Sequence, residues 1–165
     1  MILGALELEK KLRALSEMDL RQGIEKGISL VQEDAKANCP VYDGELRESI
    51  FTEVENKDAK IRGTCYTNKR YAPYVEFGTG PRGQADHDGI SPDVPVAYTQ
   101  TPWWIHESQI GRDIAEHYGF FYIDTDEGRF YKCYGQAAQP FMYPALKNNE
   151  EEILKIIKRT LKEQL

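Results

Sequence analysis

The stretch from Asp19 to Asn38 constrains this chain more than any other. Leu20, Ile24, Ile28, Val31 and Ala35 recur at spacings of four, four, three and four, which holds one face of a helix and no face of a strand. Ser16-x-x-Asp19 reads as a capping box at its start, and Pro40 stops it. At 1.5 Å per residue such a helix is about 30 Å long. Gly23 and Gly27 lie inside it. Each costs about 1 kcal/mol relative to Ala, and their spacing suits the close approach of another backbone. A shorter helix through Leu8, Leu12 and Leu15 precedes it, separable at Ser16. A last helix begins near Tyr143 or Pro144, with Leu146, Ile153, Ile156, Ile157 and Leu161 on its apolar face.

Strand patterns fill the middle. Residues 50–55 and 60–66 read as a hairpin around Asn56-Lys57-Asp58, and FFYID (120–124) with RFYKCY (129–134) as a second around Asp126-Glu127-Gly128. CPVYDGELRESI (39–50) holds a turn at Asp43-Gly44 and one helical turn. YAPYVEF (71–77) is short and apolar and runs into GTGPRG; residues 81–119 are irregular, with a short helix near 109–118. Helices at both ends and antiparallel strands between them predict an α+β fold. The expected form is one antiparallel sheet of about four or five strands with two hairpins, packed by the N-terminal helix pair and the C-terminal helix.

Bulk properties exclude several classes. No segment approaches the roughly 18–20 apolar residues needed to span a bilayer. The start, MILGALELEKK, does not read as a signal peptide, so the expected setting is a cytoplasm. Cys39, Cys65 and Cys133 are odd in number and far apart, with no CxxC pair, which fits neither a disulfide framework nor a structural zinc site. A net charge of −6 argues against non-specific nucleic-acid binding. Nine acids between Asp86 and Glu127 face a single base, Arg112.

Candidate chemistry is thin. His87 lies among Asp86, Asp88 and Asp93, which invites a metal-dependent hydrolase, but the spacing lacks the rigid frame of motifs such as HExxH, and a solvated polar loop accounts for it. His106-Glu107 and Glu116-His117 are chain neighbours, whose side chains diverge on a helix or strand. GTGPRG has no following Lys for a phosphate loop; a helix end with Gly78 at the capping position explains it more simply. Trp103-Trp104 reads as core or subunit interface before binding platform. No catalytic residue, metal site or cofactor is expected.

Three segments together resemble one family: CPVYDGELRESI (39–50), YAPYVEFGTG (71–80) and QPFMYPAL (139–146). They are similar to the "aPvdTGrLrrSi", "YA.yvEfGTg" and "PFl.PAl" patterns of the minor tail, or tail-completion, proteins at the head–tail joint of long-tailed bacteriophages. The pattern falls on Pro40, Gly44, Leu46, Arg47, Ser49 and Ile50. It falls again on Tyr71, Ala72, Tyr74, Val75, Glu76, Phe77, Gly78, Thr79 and Gly80, and lastly on Pro140, Phe141, Pro144, Ala145 and Leu146. Tyr42-Asp43 departs from the family's Asp-Thr, although Asp43-Gly44 keeps the turn chemistry. On this resemblance residues 1–165 form a single domain: a helical arm (1–15), a family core (16–80 and 135–165) and a long acidic insertion (81–134).

As architecture, Pro140 and Pro144 set the entry to the last helix, Phe141 and Leu146 anchor it, and Tyr74, Val75 and Phe77 fill core beneath the glycine loop. Glu76, a charge in an apolar segment, is expected to pair with Arg47. The resemblance implies a non-enzymatic virion protein of the neck or tail, encoded by a phage or prophage and made in the bacterial host cytoplasm. Its partners would be a connector or adaptor, a tail terminator or tube, and copies of itself in a ring. The acidic stretch would face passing DNA or outer solvent, and no membrane is involved. A metal-dependent hydrolase and a host-encoded interaction module are the alternative classes.

Overall fold

A computed structural model describes residues 20–57 and 60–164. The short helix through Leu8, Leu12 and Leu15, the Ser16–Asp19 capping box and Asp58 lie outside the described residues. In chain order the described elements are α1 (Leu20–Asn38), α2 (Glu45–Glu48), β1 (Ile50–Lys57), β2 (Lys60–Thr67), α3 (Ala72–Phe77) and α4 (Gly80–Ala85). There follow β3 (Trp103–His106), α5 (Arg112–His117), β4 (Phe121–Thr125), β5 (Gly128–Cys133), α6 (Met142–Lys147) and α7 (Glu150–Lys162). The class is α+β, as expected. The chain groups into two compact units, residues 1–69 with 141–165, and residues 70–140.

In the first unit α1 is covered on two sides. Gly23, Gly27, Val31 and Ala35 are its buried line, at four-residue spacing. A Cβ on Gly23 would stand 3.2 Å from the Ile157 Cα of α7, and one on Gly27 would stand 2.9 Å from Ile153 Cγ2. The glycine pair therefore does admit a second helix. Ile24 and Ile28 pack instead on the hairpin, where Gly63 of β2 makes the room: a Cβ there would lie 2.9 Å from Ile24 Cγ2. Leu20, expected in the buried stripe, is 44% exposed. β1 and β2 pair antiparallel from Ile50↔Thr67 to Lys57↔Lys60. Side chains of β2 alternate between exposed and half-buried, as a strand covered on one face requires.

The C-terminal helix is two helices. The break falls at Asn148-Asn149, where the Asn149 amide donates to Ala145 O (2.8 Å) and to Asp34 Oδ2 of α1 (2.5 Å). Pro144 is tolerated in the first turn of α6, where its missing N–H has no partner to lose. Phe141 and Ala145 are fully buried. Burial of a Phe is worth about 1.5–3 kcal/mol. Leu146 does not anchor the helix as expected: it turns outward and is 47% exposed. The inward face of α7 carries Ile153, Ile156, Ile157 and Leu161, with Thr160 completely buried among them.

The second unit is built on an antiparallel sheet ordered β3-β5-β4. β5 is central: Trp103↔Cys133 to His106↔Phe130 on one side, Phe121↔Lys132 to Thr125↔Gly128 on the other. Both expected hairpins form, but the five strands make two sheets and not one. Each hairpin pairs strands that are neighbours in sequence. What joins strands beyond a hairpin is non-local, and the free edge of β5 takes β3 from within its own unit. YAPYVEF is helical in α3, with Ala72 and Glu76 buried one turn apart. That geometry overturns the expected core role of Tyr74, which points away at 60% exposure, while Val75 and Phe77 are half-buried.

Candidate functional site

The first motif is a small self-bracing corner. Gly44 takes φ +89°, which favours glycine, and Asp43 Oδ1 accepts the Glu45 N–H (2.9 Å) to start α2. Leu46 and Ile50 are core. Ser49 Oγ donates to Leu46 O (2.7 Å) and sits 2.6 Å from Thr67 Oγ1, which fastens α2 to the end of β2. Lys69 pairs with Glu45 across the same corner. Pro40 is half-buried at the exit of α1, and Arg47 is exposed. Arg47 thus belongs to the first unit, and Glu76, 6% exposed, to the second.

The second motif makes a tight crossing with residues 134–138. Thr79 and Gln136 exchange backbone hydrogen bonds, N to O at 2.9 and 3.1 Å. Arg82 N donates to Tyr134 O, Ala138 N to Asp86 O, and Gln139 N to Val75 O. The Gln136 side chain donates to Tyr74 O (2.6 Å). Glycines permit this approach. Gly78 (φ +73°) closes α3 against the Ala138 backbone, and a Cβ on Gly135 (φ +78°) would overlap the Thr79 carbonyl. GTGPRG is therefore neither an anion cradle nor a loose loop: its last part is the short helix α4, locked to the chain segment before Pro140.

Beside the crossing lies an open groove of about 500 Å³, lined by Tyr71, Tyr74, Val75, Thr79, Trp103 and Gln136 among others. The motif residues and Trp103 are thus brought together. Gly80 (φ +60°) lets the Trp103 ring close in. Trp104, next along β3, points to the opposite face and is 43% exposed, with its ring 6.3 Å from that of Phe121. The tryptophan pair is divided between two faces, as strand alternation demands. Gln136 and Tyr98, whose hydroxyl donates to Phe77 O (2.8 Å), were not singled out from sequence. Neither carries a motif, and their partners are backbone atoms far along the chain.

The acids from Asp86 to Glu127 are all exposed. Asp124 is held by Arg129 through two contacts (2.7 and 3.1 Å). That hydrogen bonding keeps its carboxyl below the usual range and raises the Arg129 guanidinium. Arg129 also lies 3.8 Å from the centre of the Tyr122 ring. The histidines are engaged separately: His87 stacks on Tyr98 and bonds to Gly83 O (3.1 Å), while His106 bonds to Ser108 Oγ (2.8 Å) and Glu127 O (3.0 Å). Among the described residues no group of three His, Cys, Asp or Glu is placed to hold a metal ion, and no helix is long and apolar enough to cross a membrane. On β2, burial pushes the Cys65 thiol up, partly offset by Lys36.

No curated protein and no solved structure matches this chain. A family model does, over residues 6–78: Bacteriophage HK97-gp10, putative tail-component. The matched span includes the first motif and almost all of the second; the third, from Gln139, lies beyond it. Over those residues, which carry α1, α2, the β1–β2 hairpin and α3, this chain is similar to the structural tail components of the HK97-gp10-like phage family.

Proposed function

We propose that this chain is a structural virion protein at the head–tail joint of a long-tailed phage, completing the tail or connecting it to the head by protein–protein assembly. The observation that carries this reading is the tail-component family match over residues 6–78. The work is binding, not bond-making. Exposed Trp104, Phe121, Tyr122 and Ile123 supply the apolar and aromatic area from which interfaces are made. The partners are a connector or adaptor on one side, a tail terminator or tube on the other, and further copies of the chain in a closed ring with heterologous contacts. The exposed acids of residues 86–127 support a surface that repels DNA and lets the genome slide past.

The test is electron microscopy of lysates from a phage carrying a nonsense mutation in this gene. Filled heads beside separate, finished tails are expected. Heads without any tails would move the protein into tail assembly proper, and normal infectious virions would overturn the reading.

A further inference from the structure

Among the described residues the β1–β2 hairpin is covered by α1 on one face only, and the other face carries an ordered pattern. Phe51 and Tyr66, paired in register, are 42% and 41% exposed with ring centroids 6.0 Å apart. Up to the hairpin end the charges on this face differ by strand: Glu53 and Glu55 lie on β1 and Arg62 on β2. Arg62 is 3.8 Å from Glu55 at the same height, while Lys57 and Lys60 share the end position. A third strand cannot readily join β1. With the hairpin closed at Lys57↔Lys60, alternate pairs are hydrogen-bonded, so the carbonyls of Val54 and Ile50 point out of the ladder. Arg21 of α1 donates to Val54 O (3.0 Å) and Gln32 to Ile50 O (2.7 Å). Two outward carbonyls of the β1 edge are thus taken by α1, and among the described residues the face beyond is open.

We propose that a second copy of this chain covers that face, related by a two-fold axis running along the strands. Such an axis lays each β1 over the other copy's β2 at equal height. Glu55 then meets the second copy's Arg62, and the reverse contact forms by symmetry. Phe51 and Tyr66 of both copies join in one four-ring cluster at the end of the sheet. Two sheets packed about 10 Å apart bury such a cluster between them. Lys57 and Lys60 lie together at the hairpin tip, where the roughly 30° crossing of packed sheets carries the strands, and these like charges, apart. The contact is isologous, so it is separate from the heterologous ring contacts above, and either can fail without the other.

Sedimentation equilibrium of the full chain across micromolar concentrations tests the pairing, with circular dichroism to show that each variant folds. The wild type is expected to dimerise. Glu55→Arg and Arg62→Glu, at a half-buried and an exposed position, should each weaken association roughly tenfold or more by setting like charges face to face. An equimolar mixture of the two variants should regain it, because the copies then carry opposite charge. Phe51→Ser should weaken it without charge dependence. A monomer at every concentration would overturn the proposal. So would association of any order that both reversals leave unchanged.

Discussion

Gly27 of α1 and Ile153 of α7 meet where no side chain fits between them: a Cβ on Gly27 would stand 2.9 Å from Ile153 Cγ2. This contact explains why a residue costly in a helix interior sits there. Gly27→Ala gains about 1 kcal/mol of helix propensity and incurs about 1–3 kcal/mol of overpacking. The expected net is a loss of about 1 kcal/mol, read by urea unfolding. Trimming the neighbour as well, in Gly27→Ala with Ile153→Ala, should produce coupling of opposite sign to the overpacking. A stabilised Gly27→Ala protein would show that α7 does not seat on this strip.

The crossing of Thr79 and Gly135 makes a sharper demand. Gly135 has φ +78°, and a Cβ would overlap the Thr79 carbonyl oxygen. Gly135→Ala thus combines left-handed strain, about 1–3 kcal/mol, with a clash against backbone that cannot swing aside. Hydrogen exchange is the suitable measurement. Amide protection at Thr79, Arg82 and Gln136, whose N–H groups bond across this crossing, should fall, while α1 in the other unit keeps its protection. Retained protection at all three amides would contradict the crossing.

Local signals were legible in the sequence, and non-local ones were not. The Gly23–Gly27 spacing in α1 announced a close helix contact, and both hairpins formed, although Asn56 and Lys57, expected in the first turn, are paired within β1. Asp43-Gly44 set its corner for the reason the turn chemistry gives. The motif residues Tyr71, Tyr74, Val75, Thr79 and Gly80 do share a groove with Trp103. What periodicity could not show was which strand takes the free edge of β5, because that pairing, from Trp103↔Cys133 to His106↔Phe130, spans an intervening helix and strand and is set by no single turn. The helical state of YAPYVEF was hidden by its apolar run, whose length suits strand or helix alike. Leu146 was misjudged because the break at Asn148-Asn149 rotates α6 away from the phase of α7.

Asp124 and Arg129 predict a pH response of known sign. The hydrogen bonds from Arg129 hold the folded carboxyl below its usual range. A depressed folded value means that the pair contributes fully above the ordinary carboxylate pKa near 3.9 and loses its contribution as pH falls through the lower folded value. In an NMR titration the Asp124 carboxyl should therefore titrate below about 3.9, and Arg129→Met should move it back up. Acid unfolding of Asp124→Asn should show a correspondingly weaker pH dependence. An Asp124 midpoint that does not respond to Arg129→Met would show that the ion pair does not persist in solution.

Thr160 offers a gain in stability. It is 1% exposed on the inward face of α7, and its Oγ1 is buried without a hydrogen-bond partner. A buried hydroxyl with no partner forfeits its hydration, a penalty of about 1–3 kcal/mol. Valine has nearly the same shape, with a methyl in place of the hydroxyl, so Thr160→Val removes the penalty and keeps the packing. Both residues are β-branched, so helix propensity is little changed. Thr160→Val should therefore raise the urea midpoint, by about 1 kcal/mol of stability, with the slope unchanged. Thr160→Ala, which deletes the same hydroxyl but leaves a void, should not match it. Equal or lower stability in the valine variant would mean that the hydroxyl has a partner in solution, a bound water or a backbone carbonyl of the preceding turn.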